Sequence, residues 1–184
     1  LELPYYENIG DSLIWEGSLH FLKQTEYKCL YSASSTTYYK HNIPKDTLIL
    51  LQGGGNFGDL WDRHQDFRKK IIEHYHQNRI IIFPQTVWYE NPEKIKDDEI
   101  FFAKYPNVTI CARDKISFSF MTKHFPQNKV LLVPDMAFFI DFDKHSPVNY
   151  RPTGRTLFAK RTDKELKSDT WPDFIPHNAE VHDW

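Results

Sequence analysis

Short apolar runs alternate with amphipathic stretches along most of this chain. The apolar runs are rich in β-branched residues and have the length of buried strands. The predicted strands cover residues 28–32, 47–52, 79–83, 108–112 and 129–133. Between these runs, apolar residues recur at helical spacing behind polar residues that can begin a helix. The predicted helices cover residues 11–24, 59–77 and 114–124, and a further helix opens at Asn91-Pro92.

This alternation predicts an α/β fold with a Rossmann-like parallel sheet and helices on both of its faces. Such sheets bind their ligands at the loops that leave the carboxyl ends of the strands. These loops are predicted at residues 53–59, 84–89, 113–114 and 134–135. We therefore expect the functional residues to lie there.

A length of 184 residues allows one complete domain and a fragment of another. A polar stretch broken by prolines is predicted to be an interdomain linker over residues 141–155. Residues 1–140 then form an amino-terminal Rossmann-like domain. Residues 156–184, which open with a predicted strand at 156–160, form the start of a truncated carboxyl-terminal domain.

Composition and charge argue against some classes of function. The 23 basic and 25 acidic residues leave a formal charge of −2, so the chain as a whole offers no electrostatic footprint for nucleic acid. Its apolar runs are far shorter than a transmembrane segment, and only peripheral membrane association stays compatible with the sequence. Cys29 and Cys111 lie in predicted strands and are predicted to be buried small hydrophobes. Few cysteines and no secretory signal predict a cytoplasmic protein.

A glycine run follows the predicted strand at residues 47–52. Gly53, Gly55 and Gly58 satisfy the GxGxxG pattern, but the acidic residue that dinucleotide binding needs is replaced by Pro84-Gln85, which disfavours NAD. We predict a positive φ, or a close approach of a neighbouring backbone, at Gly55 or Gly58. The start of the following helix would favour an anion. A tight turn without a ligand is the alternative.

Charged residues beside these loops are candidates for chemistry. Asp11 and Asp59 fall at predicted helix starts, where a carboxylate can also serve only as a cap. Arg113 directly follows a buried strand and can hold a carboxylate or phosphate through two parallel hydrogen bonds, with a surface ion pair as its alternative. Arg161 stands in the same relation to the strand at 156–160. The linker would place the two arginines on different domains.

The histidines do not favour a metal site. His74 and His76 are two residues apart, which puts them on different sides of a helix, and the chain has no HExxH motif or cysteine cluster. We therefore expect neither a metal nor a resident cofactor. Trp61, Trp88 and Tyr89 lie beside the candidate loops and could stack on sugar rings, although packing is the commoner role of such residues.

Taken together, these loops resemble the polysaccharide pyruvyl transferase family. The most specific block is Gly53-Gly54-Gly55-Asn56-Phe57-Gly58-Asp59-Leu60-Trp61. The other matching stretches are Asn8-Ile9-Gly10-Asp11, Phe83-Pro84-Gln85-Thr86, Ala112-Arg113-Asp114 with Ser117, Pro134-Asp135-Met136-Ala137, and residues 158–165 with Arg161 and Asp163. The stretches occur in the order of the family and cover nearly the whole chain.

The resemblance implies a transferase of exopolysaccharide biosynthesis with two Rossmann-like domains in a GT-B-like arrangement. It implies phosphoenolpyruvate as the donor, a glycan or lipid-linked sugar as the acceptor, and transfer of pyruvate as a ketal across two sugar hydroxyls. An arginine that contacts phosphoenolpyruvate in the family matches Arg113. The arginine and histidine that members contribute from their carboxyl-terminal part have no identified counterpart before Trp184. We therefore expect the isolated chain to be inactive.

These considerations define a candidate site. The predicted catalytic residues are Arg113, Asp59 and Asp11, and the predicted substrate-binding residues are Asn8, Gly54, Gly55, Asn56, Gly58, Gln85 and Arg161. Arg113 is assigned to the donor, whereas Asp11, Asn56 and Asp59 are assigned to the acceptor or to ordering the loops. A nucleotide-sugar-dependent GT-B glycosyltransferase and a non-catalytic sugar-binding module are the alternatives.

Overall fold

A computed structural model describes residues 1–6, 8–141, 154–162, 166 and 170–182 of the chain. The helices are α1 (Ile9–Lys23), α2 (Asp62–His74), α3 (Pro92–Ala103), α4 (Lys115–His124) and a 3-10 helix at Met136–Phe139. The strands are β1 (Ile49–Leu51), β2 (Gly54–Gly58), β3 (Ile80–Trp88), β4 (Val108–Ala112), β5 (Lys129–Leu132), β6 (Leu157–Ala159) and β7 (Glu180–His182). Within the described ranges, no helix is long and apolar enough to cross a membrane.

The main sheet is built around β3. This strand pairs with β1 and then β2 along one edge and with β4 along the other, and β5 pairs with the far edge of β4. Every pairing is parallel. Because β1 and β2 follow one another along the same neighbour, they form one interrupted strand. The predicted α/β fold with a parallel sheet is confirmed.

Apolar side chains alternate between the two faces of β3. Ile80 and Ile82 belong to a core cluster that holds buried residues of α2, α3 and α4, including a stack of Phe57 on Phe102 with ring centroids 5.5 Å apart. Phe83 belongs to a second cluster with Ile14 of α1 and the 3-10 helix. Helices therefore cover both faces, and each face gains stability from burying apolar area.

The predicted strand at residues 28–32 is wrong. The other predicted strands are confirmed, the one at 108–112 with the same ends and the rest with shifted ends. A cavity of about 410 Å³ lies between this segment and β1. Part of the edge of β1 is occupied by Leu1, whose amino nitrogen donates to Leu50 O at 2.6 Å and whose carbonyl accepts from Gln52 N at 3.1 Å. Within the described residues, segment 28–32 thus has no neighbouring strand to complete a ladder, and a strand needs such partners.

The cysteine prediction holds for only one of the two residues. Cys111 in β4 is buried, and burial raises the pKa of its thiol to about 11. Cys29 is exposed, contrary to the prediction, because its segment does not join the sheet. Cysteine reactivity follows the thiolate population and its access to solvent. The two thiols should therefore differ sharply in reactivity.

The glycine run is a strand and not a loop. Residues Gly54–Gly58 form β2, and β3 continues through Pro84-Gln85-Thr86, which had been predicted to lie in a loop. A Cβ on Gly53 would lie 2.7 Å from Pro84 O, and one on Gly58 would lie 1.9 Å from Trp88 O. Gly58 has a φ of 113°, which confirms the prediction of a positive φ or a close approach. Glycine here lets two backbones approach more closely than side chains would allow.

The helix after the glycine run begins later than predicted. It starts at Asp62, with Trp61 preceding it, and not at Asp59. The backbone beyond Gly58 is first drawn to the end of β3, where Asp59 N donates to Trp88 O at 3.1 Å. The predicted start of this helix at Asp59 is therefore wrong, whereas the expectation that its amino terminus favours an anion stays a prediction.

The carboxyl-terminal part contains a small parallel sheet of β6 and β7. Strand β6 confirms the strand predicted at residues 156–160. Phe158 and Trp171 pack edge to face, with ring centroids 5.3 Å apart. Most of the predicted linker at 141–155, together with Asp163 and Glu165, lies outside the described residues. The proposed domain boundaries stay predictions.

Replacing Gly58 with alanine tests the close approach of β2 to β3. Because the new Cβ would meet Trp88 O at a positive φ, we expect the free energy of unfolding to fall by about 3 kcal/mol or more. Gly55→Ala is the matched control, since Gly55 has no positive φ and its Cβ would meet only the Arg113 side chain, at 3.3 Å, so the loss should be less than about 1 kcal/mol. Urea denaturation measures both variants. Equal losses would contradict the close approach.

Thiol labelling tests the placement of the two cysteines. With an aromatic disulfide reagent at mildly alkaline pH, we expect Cys29 to react rapidly and Cys111 to react only after denaturant is added, because its thiol is buried with a raised pKa. The Cys29→Ser variant should lose the rapid phase. Rapid labelling of that variant in the native state would show that β4 is not packed as described.

Candidate functional site

Arg113 lies at the carboxyl edge of the main sheet, as predicted from its position after β4. Its Nε donates to Thr86 Oγ1 at 2.8 Å, and its Nη1 donates to Asp135 Oδ2 at 2.7 Å. The side chain is 27% exposed, and its Nη2 lies 3.3 Å from the position that a Cβ on Gly55 would occupy. Residues 53–58 are called the glycine segment. Two acceptors therefore hold the Arg113 guanidinium in place, while its remaining nitrogen faces the glycine segment.

Asp114 anchors this arrangement from the start of α4. Its Oδ1 accepts from Ser117 N at 2.8 Å, which caps the helix, and its Oδ2 accepts from Ser117 Oγ at 2.8 Å and from Thr86 Oγ1 at 3.0 Å. Partial burial alone would raise the pKa of Asp114, but the hydrogen bonds from Ser117 and Thr86 outweigh it and hold the pKa below its usual value. Thr86 is thereby fixed as the acceptor for Arg113.

Asp11 and Asn8 lie at the amino terminus of α1. The helix cap is Asn8, whose Oδ1 accepts from Asp11 N at 3.0 Å, so Asp11 is not the cap that its place at a predicted helix start allowed. Asp11 Oδ2 accepts from Tyr6 OH at 2.8 Å. Burial and the adjacent Asp11 carboxylate raise the pKa of Tyr6, so this hydroxyl stays a donor.

Asp11 and Arg113 meet the glycine segment at consecutive residues. Asp11 Oδ1 lies 3.3 Å from the position of a Cβ on Gly54, and Arg113 Nη2 is equally close to that of Gly55. Gly54 has a φ of 139°, a conformation that side chains disfavour. The absence of side chains there leaves a carboxylate and a guanidinium beside a bare strand of backbone.

Asp59 has a different environment. Its Oδ1 accepts from Glu90 N and its Oδ2 accepts from Asn91 N, each at 2.8 Å. Both oxygens therefore order the loop that leads into α3. This is the loop-ordering role that the sequence left open, and the assignment of Asp59 as a catalytic residue stays a prediction.

Two of the predicted substrate-binding side chains are buried. Gln85 is fully buried, and its Nε2 donates to Gln52 O at 2.7 Å. Asn56 is 7% exposed, and its Oδ1 accepts from Arg68 Nη2 at 2.7 Å. Gln85 therefore supports the backbone just before the glycine segment, and its assignment to substrate binding stays a prediction.

Sequence reasoning missed the residues that hold Arg113 and Asn56. Thr86 and Asp135 lie in loops that were predicted to carry function, but neither was selected. Their type was the available signal, because an arginine that binds a ligand needs its other nitrogens satisfied by hydroxyl or carboxylate acceptors. Arg68 gave no such signal, since a charged residue on a predicted helix usually faces solvent.

Other features belong to other elements of the chain. Arg161 follows β6 in the small sheet. The cavity beside β1 is lined by residues such as Leu50 and Tyr31, and Arg113 is not among them. In the part of the chain that is described, no group of three or more His, Cys, Asp or Glu side chains could hold a metal ion. The candidate site is thus an open edge of the sheet, where a tethered guanidinium could bind an oxyanion and a carboxylate could bind a hydroxyl.

Comparison with known proteins identifies the family of the chain. A family model described as polysaccharide pyruvyl transferase matches residues 8–182. The chain is 31% identical over 186 aligned residues to EpsO of Bacillus subtilis, a protein with pyruvyl transferase in its name, and the match covers 100% of the chain and 55% of EpsO. It is 35% identical over 147 residues to Pyruvyl transferase 1 of Schizosaccharomyces pombe, covering 74% of the chain and 37% of that protein. The chain spans about half or less of the length of these relatives.

A solved structure shares the fold. The crystal structure of KP1_0663 from Klebsiella pneumoniae superposes with a TM-score of 0.64 at 23% sequence identity. The match covers 86% of this chain and 56% of that one. At this identity the likeness supports the α/β architecture alone.

Removing the Asp114 carboxylate tests how the site is anchored. Asp114→Ala loses the cap of α4, so we expect a loss of about 1–2 kcal/mol in the free energy of unfolding at pH 7. Because the folded pKa is lowered, the stabilisation by this carboxylate is complete above its usual value of 3.8 and is lost as the pH falls through the folded value. The gap between wild type and variant should therefore narrow on acidification below about pH 4. A gap that stays constant in urea titrations down to pH 2 would contradict the assignment.

Proposed function

The chain belongs to the polysaccharide pyruvyl transferase family, and we propose that it carries the donor-binding edge of an enzyme that transfers pyruvate from phosphoenolpyruvate to a sugar. The acceptor is a glycan or lipid-linked sugar, and the product is a ketal that bridges two of its hydroxyls during polysaccharide biosynthesis. The tethered guanidinium of Arg113 beside the glycine segment is the observation that carries this proposal.

Arg113 suits an anionic donor for two reasons. Phosphoenolpyruvate carries a carboxylate and a phosphate, and charge-assisted hydrogen bonds from a guanidinium to such groups are among the stronger polar contacts in proteins. The bonds to Thr86 and Asp135 fix the side chain before the ligand arrives. Less conformational entropy is then lost on binding.

The proposed reaction consumes two hydroxyls and releases one phosphate. The donor methylene gains a proton, positive charge develops at the central carbon, and the first sugar hydroxyl forms a bond to that carbon. The second hydroxyl then forms the other C–O bond as the C–O bond to phosphate breaks. One hydroxyl proton balances the new methyl group, and the other leaves with phosphate.

This chemistry needs a proton acceptor near the attacking hydroxyl. Asp11 is the proposed group on the acceptor side, because its carboxylate lies at Gly54, next to the residue that Arg113 approaches. We propose further that the complete site lies in a GT-B-like cleft and that Arg161, after β6, contributes from the second wall. Calorimetric titration with phosphoenolpyruvate, set against nucleotide diphosphate sugars, tests the donor. Binding of the nucleotide sugars alone would favour a glycosyltransferase.

Substitution of Arg113 tests its assignment to the donor. Loss of a charge-assisted hydrogen bond costs roughly 1.5–3 kcal/mol, so Arg113→Ala should weaken phosphoenolpyruvate binding by about 10- to 100-fold. Arg113→Lys should weaken it less, because lysine keeps the charge but not the planar fork. Calorimetric titration measures both affinities.

Arg79→Ala is the matched control, because this exposed arginine precedes the amino end of β3, at the opposite edge of the sheet. It should leave the donor affinity unchanged. If Arg113→Ala kept the wild-type affinity but lowered the melting temperature sharply, Arg113 would be a structural ion-pair partner of Asp135 and the site assignment would be wrong.

A further inference from the structure

A fully buried arginine lies beneath the glycine segment. Arg68 projects from α2, and its Nη2 donates to Asn56 Oδ1 at 2.7 Å while its Nη1 donates to Gln65 Oε1. The guanidinium carbon lies 5.2 Å from the centroid of the Phe57 ring. One side chain therefore contacts both residues at the centre of β2.

Hydrogen-bond acceptors and a carboxylate beside the Arg68 guanidinium offset the free-energy cost of burying its charge. Glu2, itself 3% exposed, places Oε2 at 3.5 Å from Arg68 Nη2. Gln65 in turn donates to Asp98, which also binds Lys69 and Tyr89. A buried charge is tolerated only when it is paired and hydrogen-bonded in this way. Such an arrangement fixes the direction in which Arg68 points.

The bond from Arg68 also fixes the amide of Asn56. An asparagine side chain has an acceptor oxygen and a donor nitrogen, and a guanidinium can bind only the oxygen. The nitrogen must then point the other way. Asn56 Nδ2 lies 3.8 Å from the position of a Cβ on Gly54, and Asp11 Oδ1 lies 3.3 Å from the same point. Among the described residues, Nδ2 has no hydrogen-bond partner.

We propose that Arg68 is a positioning residue, which holds the Asn56 amide so that its Nδ2 donates a hydrogen bond to an anionic ligand bound along the glycine segment. The ligand class is an oxyanion, and its identity as phosphoenolpyruvate rests on the proposed function. Arg68 itself is fully buried and acts only through Asn56.

A double-mutant cycle on anion affinity tests this role. The variants are Asn56→Ala, Arg68→Lys and the two combined, titrated calorimetrically with phosphoenolpyruvate and, separately, with inorganic phosphate. Lysine keeps the buried charge but not the planar fork, which limits the risk of unfolding. Asn56→Ala should weaken binding by roughly 10-fold, and Arg68→Lys by a few-fold. Because Arg68 acts through Asn56, adding Arg68→Lys to Asn56→Ala should change the affinity less than twofold.

The Asn56→Asp variant distinguishes a hydrogen bond from Asn56 to the ligand from a purely structural bond between Asn56 and Arg68. Aspartate keeps an oxygen for Arg68 and adds a charge to the pair, so the melting temperature should stay the same or rise. It removes the donor, so anion affinity should fall by roughly 10-fold or more. A purely structural role for Asn56 would leave the affinity of Asn56→Ala unchanged once the protein is folded.

The results of these titrations test the positioning role of Arg68 separately from the identity of the donor as phosphoenolpyruvate. Additive losses in the cycle, or wild-type affinity in Asn56→Ala, would overturn the positioning role. If wild type bound phosphate but not phosphoenolpyruvate, and the cycle held for phosphate, the proposed donor would be wrong and the role of Arg68 would stand. Failure of wild type to bind either anion would overturn the inference.

Discussion

The close approach of β2 to β3 is the constraint on which the candidate site depends. Gly53 and Gly58 bring the backbone of the glycine segment to Pro84 O and Trp88 O at distances that exclude a Cβ. This approach extends β3 to Trp88 and carries β2 into the sheet. It also places Gly54 beside Asp11 and delays the start of α2. Backbone conformation, more than any side chain, thus shapes this edge of the sheet.

Two arginines approach the resulting strand in different ways. Arg113 lies at the surface, is tethered by Thr86 and Asp135, and meets Gly55. Arg68 is buried under Asn56 and Phe57. Arg113 thus keeps a guanidinium nitrogen beside partly exposed backbone, as ligand binding requires. The charge of Arg68 is paired with Glu2 inside the protein, and its hydrogen bond to Asn56 stabilises the strand. The two arginines therefore differ in their exposure to solvent and in the groups that they contact.

Hydrophobic periodicity was sufficient to predict the α/β fold, because short apolar runs such as the one in β4, set between amphipathic helices, are typical of buried parallel strands. The sequence also located Arg113 at the carboxyl edge. It could not show that segment 28–32 would lack a ladder partner, which depends on what lies beside β1. Nor could it reveal Arg68, since the spacing of α2 marks that residue only as a neighbour of apolar Phe67. Both the conformation of segment 28–32 and the burial of Arg68 depend on contacts between residues that are far apart in the sequence.

We propose that an anionic donor binds at the glycine segment beside Arg113, with Asp11 on the acceptor side. Heteronuclear NMR spectra recorded during a titration with phosphoenolpyruvate test this claim most directly. We expect the largest shifts at the amides of Gly54 and Gly55 and at Arg113 Nε, with little change at residues such as Leu50 that line the cavity beside β1. Shifts concentrated at that cavity, with the glycine amides unmoved, would contradict the claim.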